Sequence, residues 1–523
     1  MFQNSDRGER SIMSKYSKED IFRMVEEEDV AFIRLQFCDI FGRPKNLAIT
    51  AAQLERALNH ECIFDASAIS GFRDTLHELY LYPDLNTFDV FPWRPQTGKV
   101  ARMFCNLAQG DGTPFEGDSR LVLNRVLQEA EKMGYYFEIM PEPEFFLFHT
   151  DDDGCPTTIT HEDAGFFDVA PADLAENVRR DIILTLEEMG FDIYGSHHEL
   201  SPAQHEIDFA PGNVAKIADQ MQTFKMAVKT IAKKHGLHAS FMPKPKAEVN
   251  GSGLHLNIYC RDRYGKNLFC MDGDREQLSD TARHFAAGLL AHAPGITLVT
   301  NPLVNSYKRL ISGFDAPTKI YWTDILANRS AVVNVPQRRG DQTCIEFRSP
   351  DGACNDYLAF ALCLAAGLDG VKNNMEPPKL IHDNLSGKSD REISAMNIDV
   401  LPETLGEALE CYQKDPLVRD ILGELVYQEY LQAKRKEWGE FRAVVTNWEI
   451  ENYLQKYWQK GFGKDCKVSL LRIRIRRMQK KYGQYWCVTE CRFFPHVCPE
   501  RRCSPGQAHW RRELSSAAII SGI

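Results

Sequence analysis

The run MPEPEFFLF (140–148) is apolar and aromatic apart from two glutamates two residues apart. In an extended chain alternate side chains share a face. Glu142 and Glu144 therefore project together, with Phe146 and Phe148 continuing that face and Phe145 and Leu147 pointing to the other. Two carboxylates side by side repel unless a cation lies between them. A solvated edge strand is the plain alternative, and the pair alone does not decide.

Three further segments sharpen the question. GSHHELSPAQHEIDF (195–209) supplies Glu199 and Glu206 among His197, His198 and His205, a set that a surface loop would also accommodate. FMPKPKAEVNGSGLHLNIYC (241–260) begins its strand after the tight turn Asn250-Gly251-Ser252-Gly253, where backbone can approach a ligand closely. There His255, Asn257 and Tyr259 share one face, and Leu254, Leu256 and Ile258 the other. CIEFRSPDGACNDYLAF (344–360) places Cys344, Glu346 and Arg348 on one face, although a glutamate and an arginine two apart also make a neutralising surface pair. Together the segments offer five carboxylates and one histidine on strand faces that could converge. Hard oxygen donors suit Mg²⁺ or Mn²⁺ rather than zinc. Five acids at one place need about two such ions, the arrangement used for phosphoryl transfer.

Around these segments the chain reads as a multidomain α+β protein. Its 523 residues exceed one compact domain, and 43% hydrophobic content provides a large core. A Ser17 helix start leads into VAFIRLQFCDIFGRPKNLAI (30–49), two strand-like runs joined at Gly42-Arg43-Pro44. A Pro/Gly stretch at 92–98 reads as the close of this β-rich unit, giving domains at 13–103 and 104–457 behind an N-terminal extension at 1–12. In the second domain LVLNRVLQEAEKMG, VRRDIILTLEEMG and DQMQTFKMAVKTIAKKHG each read as an amphipathic helix closed by glycine. A net charge of −11 argues against general nucleic-acid binding, and the absence of a signal or membrane-length apolar run points to the cytoplasm.

Residues 458–523 break the pattern, with 14 Lys and Arg against 4 Asp and Glu. They include RIRIRRMQKK and Cys466, Cys487, Cys491, Cys498 and Cys503, near His496 and His509. Irregular spacings leave zinc, a nucleic-acid patch and an accidental extension open, and the charge break favours the last.

The ordered landmarks FDASAISGF (64–72), LYPDLNTFDVFPW (81–93), PEPEFFLF, SHHELSPAQHEIDF, KHGLHASFMPKP, NGSGLH, NPLVNSYKRL, NRSAVV and AGLDGVKN resemble bacterial type I glutamine synthetase from about residue 13 to 457. The resemblance implies an N-terminal β-grasp domain, a catalytic α+β domain, and a dodecamer of two hexameric rings with active sites between subunits. It implies that ATP phosphorylates the glutamate γ-carboxylate and that ammonia then displaces phosphate. By matching position, one metal ion falls to Glu144, Glu199 and Glu206, the other to Glu142, His255 and Glu346. Asn250, Gly251, Arg309 and Arg348 match glutamate-binding positions. Asn257, Tyr259, Arg329, Asn334 and Cys344 match the nucleotide side, with Arg329 at the transferring phosphate. Asp39 matches an acid lent by a neighbouring subunit to deprotonate ammonium.

Three positions depart from that pattern. Asp315 stands for a flap glutamate, and Asn334 and Cys344 stand for two arginines that meet the nucleotide. Ser386 occupies the usual adenylylation position. The metal and glutamate positions are thus intact while the nucleotide side is expected to be weak. A ligase acting on another amine, or a catalytically poor regulatory or structural paralogue, is the alternative to a glutamine-forming enzyme.

Overall fold

A computed structural model of the chain describes residues 15–72, 78–271, 273, 276–385 and 387–454. The extension at 1–12, the cysteine-bearing tail at 458–523 and Ser386 lie outside the described residues.

The first sheet has six strands: β1 (Val30–Cys38), β2 (Pro44–Thr50), β3 (Ile63–Phe64), β4 (Leu79–Pro83), β5 (Asp89–Val90) and β6 (Lys99–Ala108). Its order is β2-β1-β6-β4-β3, with β5 also on β6. Helix α1 (Lys18–Glu27) starts at Ser17, whose hydroxyl accepts from the Asp20 N–H while the Asp20 carboxylate accepts from the Ser17 N–H. It buries Ile21 and Val25. The expected closure at 92–98 is instead a connection inside this unit. β6 follows it and pairs in parallel with β1 and antiparallel with β4. Because residues 101–105 of β6 are buried in succession, the alternation that marks a half-exposed strand is missing from its sequence.

The second sheet has ten strands. They are β7 (Tyr136–Thr150), β8 (Pro156–Thr160), β9 (Ile193–His198), β10 (Gln204–Phe209), β11 (Gly212–Asn213), β12 (Leu237–Ser240), β13 (Leu254–Arg261), β14 (Lys319–Thr323), β15 (Ala331–Asn334) and β16 (Ile345–Phe347). The path β14-β15-β16-β13-β7-β10-β9 puts β7 near its centre. Pro141 and Pro143 within a central strand would ordinarily break the ladder, since neither donates an N–H. Here β11 pairs β7 at Glu138 and Ile139, and β10 pairs it at 144–146, so both prolines fall in the gap between those partners. The other side of β7 keeps its bonds to β13, as where the Glu144 N–H donates to the Gly253 carbonyl.

Between these strands run α2 (Leu54–Leu58), α3 (Ser119–Lys132), α4 (Glu176–Glu188), α5 (Val214–Lys234), α6 (Asp280–Thr300) and α7 (Ser306–Arg309), and after the last of them come α8 (Asp356–Lys372), α9 (Asp390–Ser394), α10 (Leu405–Lys414) and α11 (Pro416–Arg442), the last broken at Gly423. The three glycine-closed helices read from sequence are α3, α4 and α5. The glycines read as their caps, Gly134, Gly190 and Gly236, all have positive φ. One face of the second sheet packs on this helical layer: Phe145 meets Phe224 of α5, and Phe137 meets Phe285 of α6. Helices α6 and α8 are apolar nearly all round and form the centre of the core.

The two large units are tied by Asn355, whose Nδ2 donates to the carbonyls of Asp39 and Ile40 and to the Ser119 hydroxyl. A separate C-terminal unit begins at Val445 and holds α12 (Asn447–Tyr453), capped by Thr446 and Glu449. Among the described residues no helix is long and apolar enough to cross a membrane.

Candidate active site

Register decides what the second sheet presents on its other face. His255 lies opposite Glu142, Glu144 opposite Glu206, and Glu206 opposite His197. Asn257 lies opposite Glu346, and Glu346 opposite Asn334. Directly opposed residues share a face, and so do residues two apart on a strand. Parity alone therefore gathers Glu142, Glu144, Glu206, Asp208, His197, His255, Asn257, Asn334 and Glu346 onto one side, away from the helices. They line a cavity of about 620 Å³ together with Glu199, Asn250, Gly251, Arg309, Asp315, Arg329, Arg338 and Arg348.

Two donor sets stand in it. His255 Nδ1 is 3.6 Å from Glu142 and 3.5 Å from Glu346, the trio expected for one ion. Asn257 Nδ2 donates to Glu142 at 2.7 Å, and Asn334 Nδ2 to Glu346 at 2.6 Å, so each carboxylate is held by a neighbouring amide. In the second set His197 Nε2 is 3.0 Å from Glu199 and 3.8 Å from Glu206. Glu144, expected as the third ligand there, accepts on its Oε2 from Gln204 Nε2 at 2.7 Å and from the Gly253 N–H at 3.0 Å, bonds that leave its Oε1 to the cavity. His197 was visible in the sequence only as one of three crowded histidines. Strand parity separates them: His198 and His205 face the opposite side and are fully buried, His198 on Glu162 and His205 against Arg179.

The electrostatics of the nest favour cations. Burial, reinforced by Glu199, lifts Glu144 to about 7. Burial, with Asp208 and Glu144 next, lifts Glu206 well above the ordinary carboxylate range. Burial raises Glu142 and takes Asp208 to about 6. Glu199 moves the other way, because the His197 hydrogen bond and its other partners outweigh its burial. Burial and the nearby Arg348 pull His255 down to about 3, which keeps its imidazole neutral and able to donate a lone pair. Carboxylates that resist ionising together ionise readily beside a divalent ion, and oxygen donors with one imidazole per set fit hard metals.

Two buried guanidinium groups adjoin the nest. Arg309 donates through Nη1 to the Ser349 carbonyl and through Nη2 to the Arg348 carbonyl. Arg348 is 2% exposed, with Nε 3.4 Å from Glu346 but without a hydrogen bond. The turn before β13 is shaped around Arg309. A Cβ on Gly251 would lie 2.2 Å from the Pro243 carbonyl and 2.9 Å from Arg309 Cγ, and one on Gly253 would lie 2.6 Å from Arg309 Nη2. Asn250 reaches Asp315 at 3.4 Å, and Asp315 is exposed at φ 49°, a left-handed conformation that Asp tolerates better than Glu.

Not every expected residue reaches the cavity. Tyr259 and Cys344 form a buried cluster with Met140 and do not line the cavity. Asp39 is 1% exposed at the β1–β2 connection, accepts from the N–H groups of Phe41 and Arg43, and does not line the cavity either. Gln204, Asp208, His197 and Arg338 line the cavity without having been singled out from sequence. Gln204 and Asp208 carry a detectable signal, since both have the parity of Glu206.

Comparison with known proteins agrees with this architecture. Residues 29–110 match the glutamine synthetase β-grasp domain, and residues 116–453 match the glutamine synthetase catalytic domain. The chain is 50% identical over 446 residues to the glutamine synthetase of Clostridium saccharobutylicum, covering 85% of this chain and all of that one. It is 48% identical over 444 residues to that of Staphylococcus epidermidis, covering 84% and 99%. Among solved structures it resembles GmaS in an ADP complex, with a TM-score of 0.76, 29% identity, and 83% and 99% of the two chains covered. It shares the fold of Plasmodium falciparum glutamine synthetase, with a TM-score of 0.74, 22% identity, and 84% and 99% covered. A β-grasp unit joined to a sheet whose carboxylate face adjoins buried arginines, with both domain families matched in order, makes this chain a member of the glutamine synthetase family.

Proposed function

We propose that the chain is an ATP-dependent glutamate–ammonia ligase that works with two Mg²⁺ or Mn²⁺ ions in the carboxylate nest. The observation that carries this reading is one cavity holding two donor sets, Glu142/His255/Glu346 and His197/Glu199/Glu206, beside the buried Arg309 and Arg348. An arginine fork matches a carboxylate, and the pair would hold glutamate with its γ-carboxylate toward the nest. Divalent ions bound there would draw charge from the transferring phosphoryl group.

Arg329, on the cavity wall, faces the same charge. A γ-carboxylate oxygen attacks the terminal phosphorus, the bond to ADP breaks, and γ-glutamyl phosphate forms. Ammonia then attacks the acyl carbon and phosphate leaves. Ammonium must first lose a proton to a carboxylate. Asp315 stands at the cavity mouth, and Asp39 fits this role only as a residue lent by a neighbouring subunit. We accordingly place the chain in a ring assembly of the dodecameric type, acting on glutamate, ATP and ammonia in the cytoplasm. The GmaS similarity, with ADP present in that structure, supports a nucleotide in the cavity.

The test is phosphate release by the full chain with glutamate, ATP and Mg²⁺ or Mn²⁺, with ammonia replaced in turn by methylamine and larger amines. Release that needs glutamate and metal and is fastest with ammonia supports the reading. A faster reaction with another amine would reassign the acceptor. No amine-dependent release would contradict the reading.

A further inference from the structure

The sequence lacks two arginines expected at the nucleotide, at positions 334 and 344. Neither replacement takes over their role. Asn334 spends its Nδ2 on Glu346, and Cys344 is buried with its thiol 3.6 Å from Asn257 Oδ1. That oxygen has a second donor. Arg338, on the loop between β15 and β16, donates to it through Nη2 at 3.2 Å, and its Nη1 lies 3.8 Å from Met140 Sδ. Met140, Tyr259 and Cys344 form one buried cluster, and the Cys344 thiol and the Arg338 guanidinium meet the same Asn257 oxygen, so Arg338 fills space into which a long side chain at 344 would extend.

Its neighbour behaves differently. Arg339 turns away, and its Nε and Nη1 donate to the carbonyls of Glu276, Pro336 and Arg338. Arg338 lines the cavity, half-buried, and among the described residues no carboxylate lies within ion-pair distance of it. Two of its five N–H groups are directed at Asn257 and Met140, which leaves three for a ligand. Asn257 in turn donates to Glu142, so the guanidinium is anchored through one amide to a metal-binding carboxylate.

We propose that Arg338 binds the phosphates of the nucleotide in this chain, supplying from the β15–β16 loop the guanidinium missing at position 344. This rests on the reading of the cavity as a nucleotide and glutamate site. The ligand class is a nucleoside polyphosphate, because an unpaired cation beside metal-binding carboxylates suits bridging phosphate oxygens. It follows that the nucleotide side lacks one arginine rather than two. An added arginine at 344 would meet a space already filled.

Binding and steady-state kinetics on the full chain with Mg²⁺ test this. ADP titration of the unaltered chain checks the underlying reading first, and no binding there would overturn both. A hydrogen bond to a charged group corresponds to roughly a 10- to 100-fold change. Arg338→Gln should therefore raise the KM for ATP by about tenfold or more while the KM for glutamate moves less than about threefold, and Arg338→Lys should recover part of the loss. Cys344→Arg should change little alone and restore ATP use in the Arg338→Gln background. The proposal is overturned if Arg338→Gln leaves the KM for ATP within about twofold, or raises both KM values alike as a purely structural role would.

Discussion

At the residue scale the site is a balance between burial and charge. Asp208, held at about 6 by burial, and then Glu144, held at about 7 by burial and Glu199, must shed their protons before the nest carries its full negative charge. Divalent-ion binding there releases protons, Glu206 being raised still further above its ordinary range, and the sign is fixed: affinity rises with pH through and beyond about 7 and falls as pH drops through it, by about tenfold per unit for each proton displaced. His255, already neutral down to about 3, adds no penalty in that window. Mn²⁺ titration from pH 8 to pH 5.5 should show this decline, and a flat profile would mean that the carboxylates are ionised throughout. The Asn334 amide offers a second check. Its 2.6 Å bond orients Glu346, and Asn334→Ala should weaken metal binding about 10- to 100-fold with little loss of stability. Unchanged Mn²⁺ affinity would remove Asn334 from the account. Much of this nest was legible from alternation, because β7, β13 and β16 carry apolar residues on one face and Glu142, His255 and Glu346 on the other. The choice of His197 over its two neighbours was not, since it depends on the β9–β10 register. Arg338 was equally hidden, because a loop has no period from which to read direction.

At the element scale the sheet needs a rigid support, and α6 against α8 provides it. The helices approach so closely that a Cβ on Gly288 would lie 2.1 Å from the Ala366 carbonyl and 2.7 Å from the Gly370 nitrogen. Gly288→Ala should raise helix propensity yet destabilise the fold by about 1–3 kcal/mol, since helix backbone cannot yield as a side chain can. Thermal unfolding at a fixed scan rate reads this out, and a variant that melts like the parent would show that the helices have room. The three glycine-closed amphipathic helices were legible because their period and caps agree. β6 is hidden in the sequence because successive buried residues carry no alternation, and the Pro/Gly stretch before it resembles a domain end. The prolines of β7 argue locally against a central strand, and only the gap between β11 and β10 explains them.

At the scale of the whole molecule, the described chain supplies the nest and the arginines but keeps Asp39 out of its own cavity. If a neighbouring subunit lends that acid, Asp39→Asn and Glu346→Ala should each abolish activity alone. Co-assembled in equal amounts they should regain it at about one quarter of the sites, those combining an intact Asp39 with an intact Glu346. Mixtures as inactive as the separate variants would confine catalysis to one chain. The basic tail lies beyond residue 453, where the match to the glutamine synthetase catalytic domain ends. The central claim, that glutamate is activated by phosphorylation on its γ-carboxylate, has one direct measurement. Glutamate labelled with ¹⁸O in that carboxylate is turned over with ATP, ammonia and Mg²⁺, and the released phosphate is weighed by mass spectrometry. The account predicts one ¹⁸O in each phosphate, because the oxygen that attacks phosphorus leaves with it; phosphate free of label would contradict it.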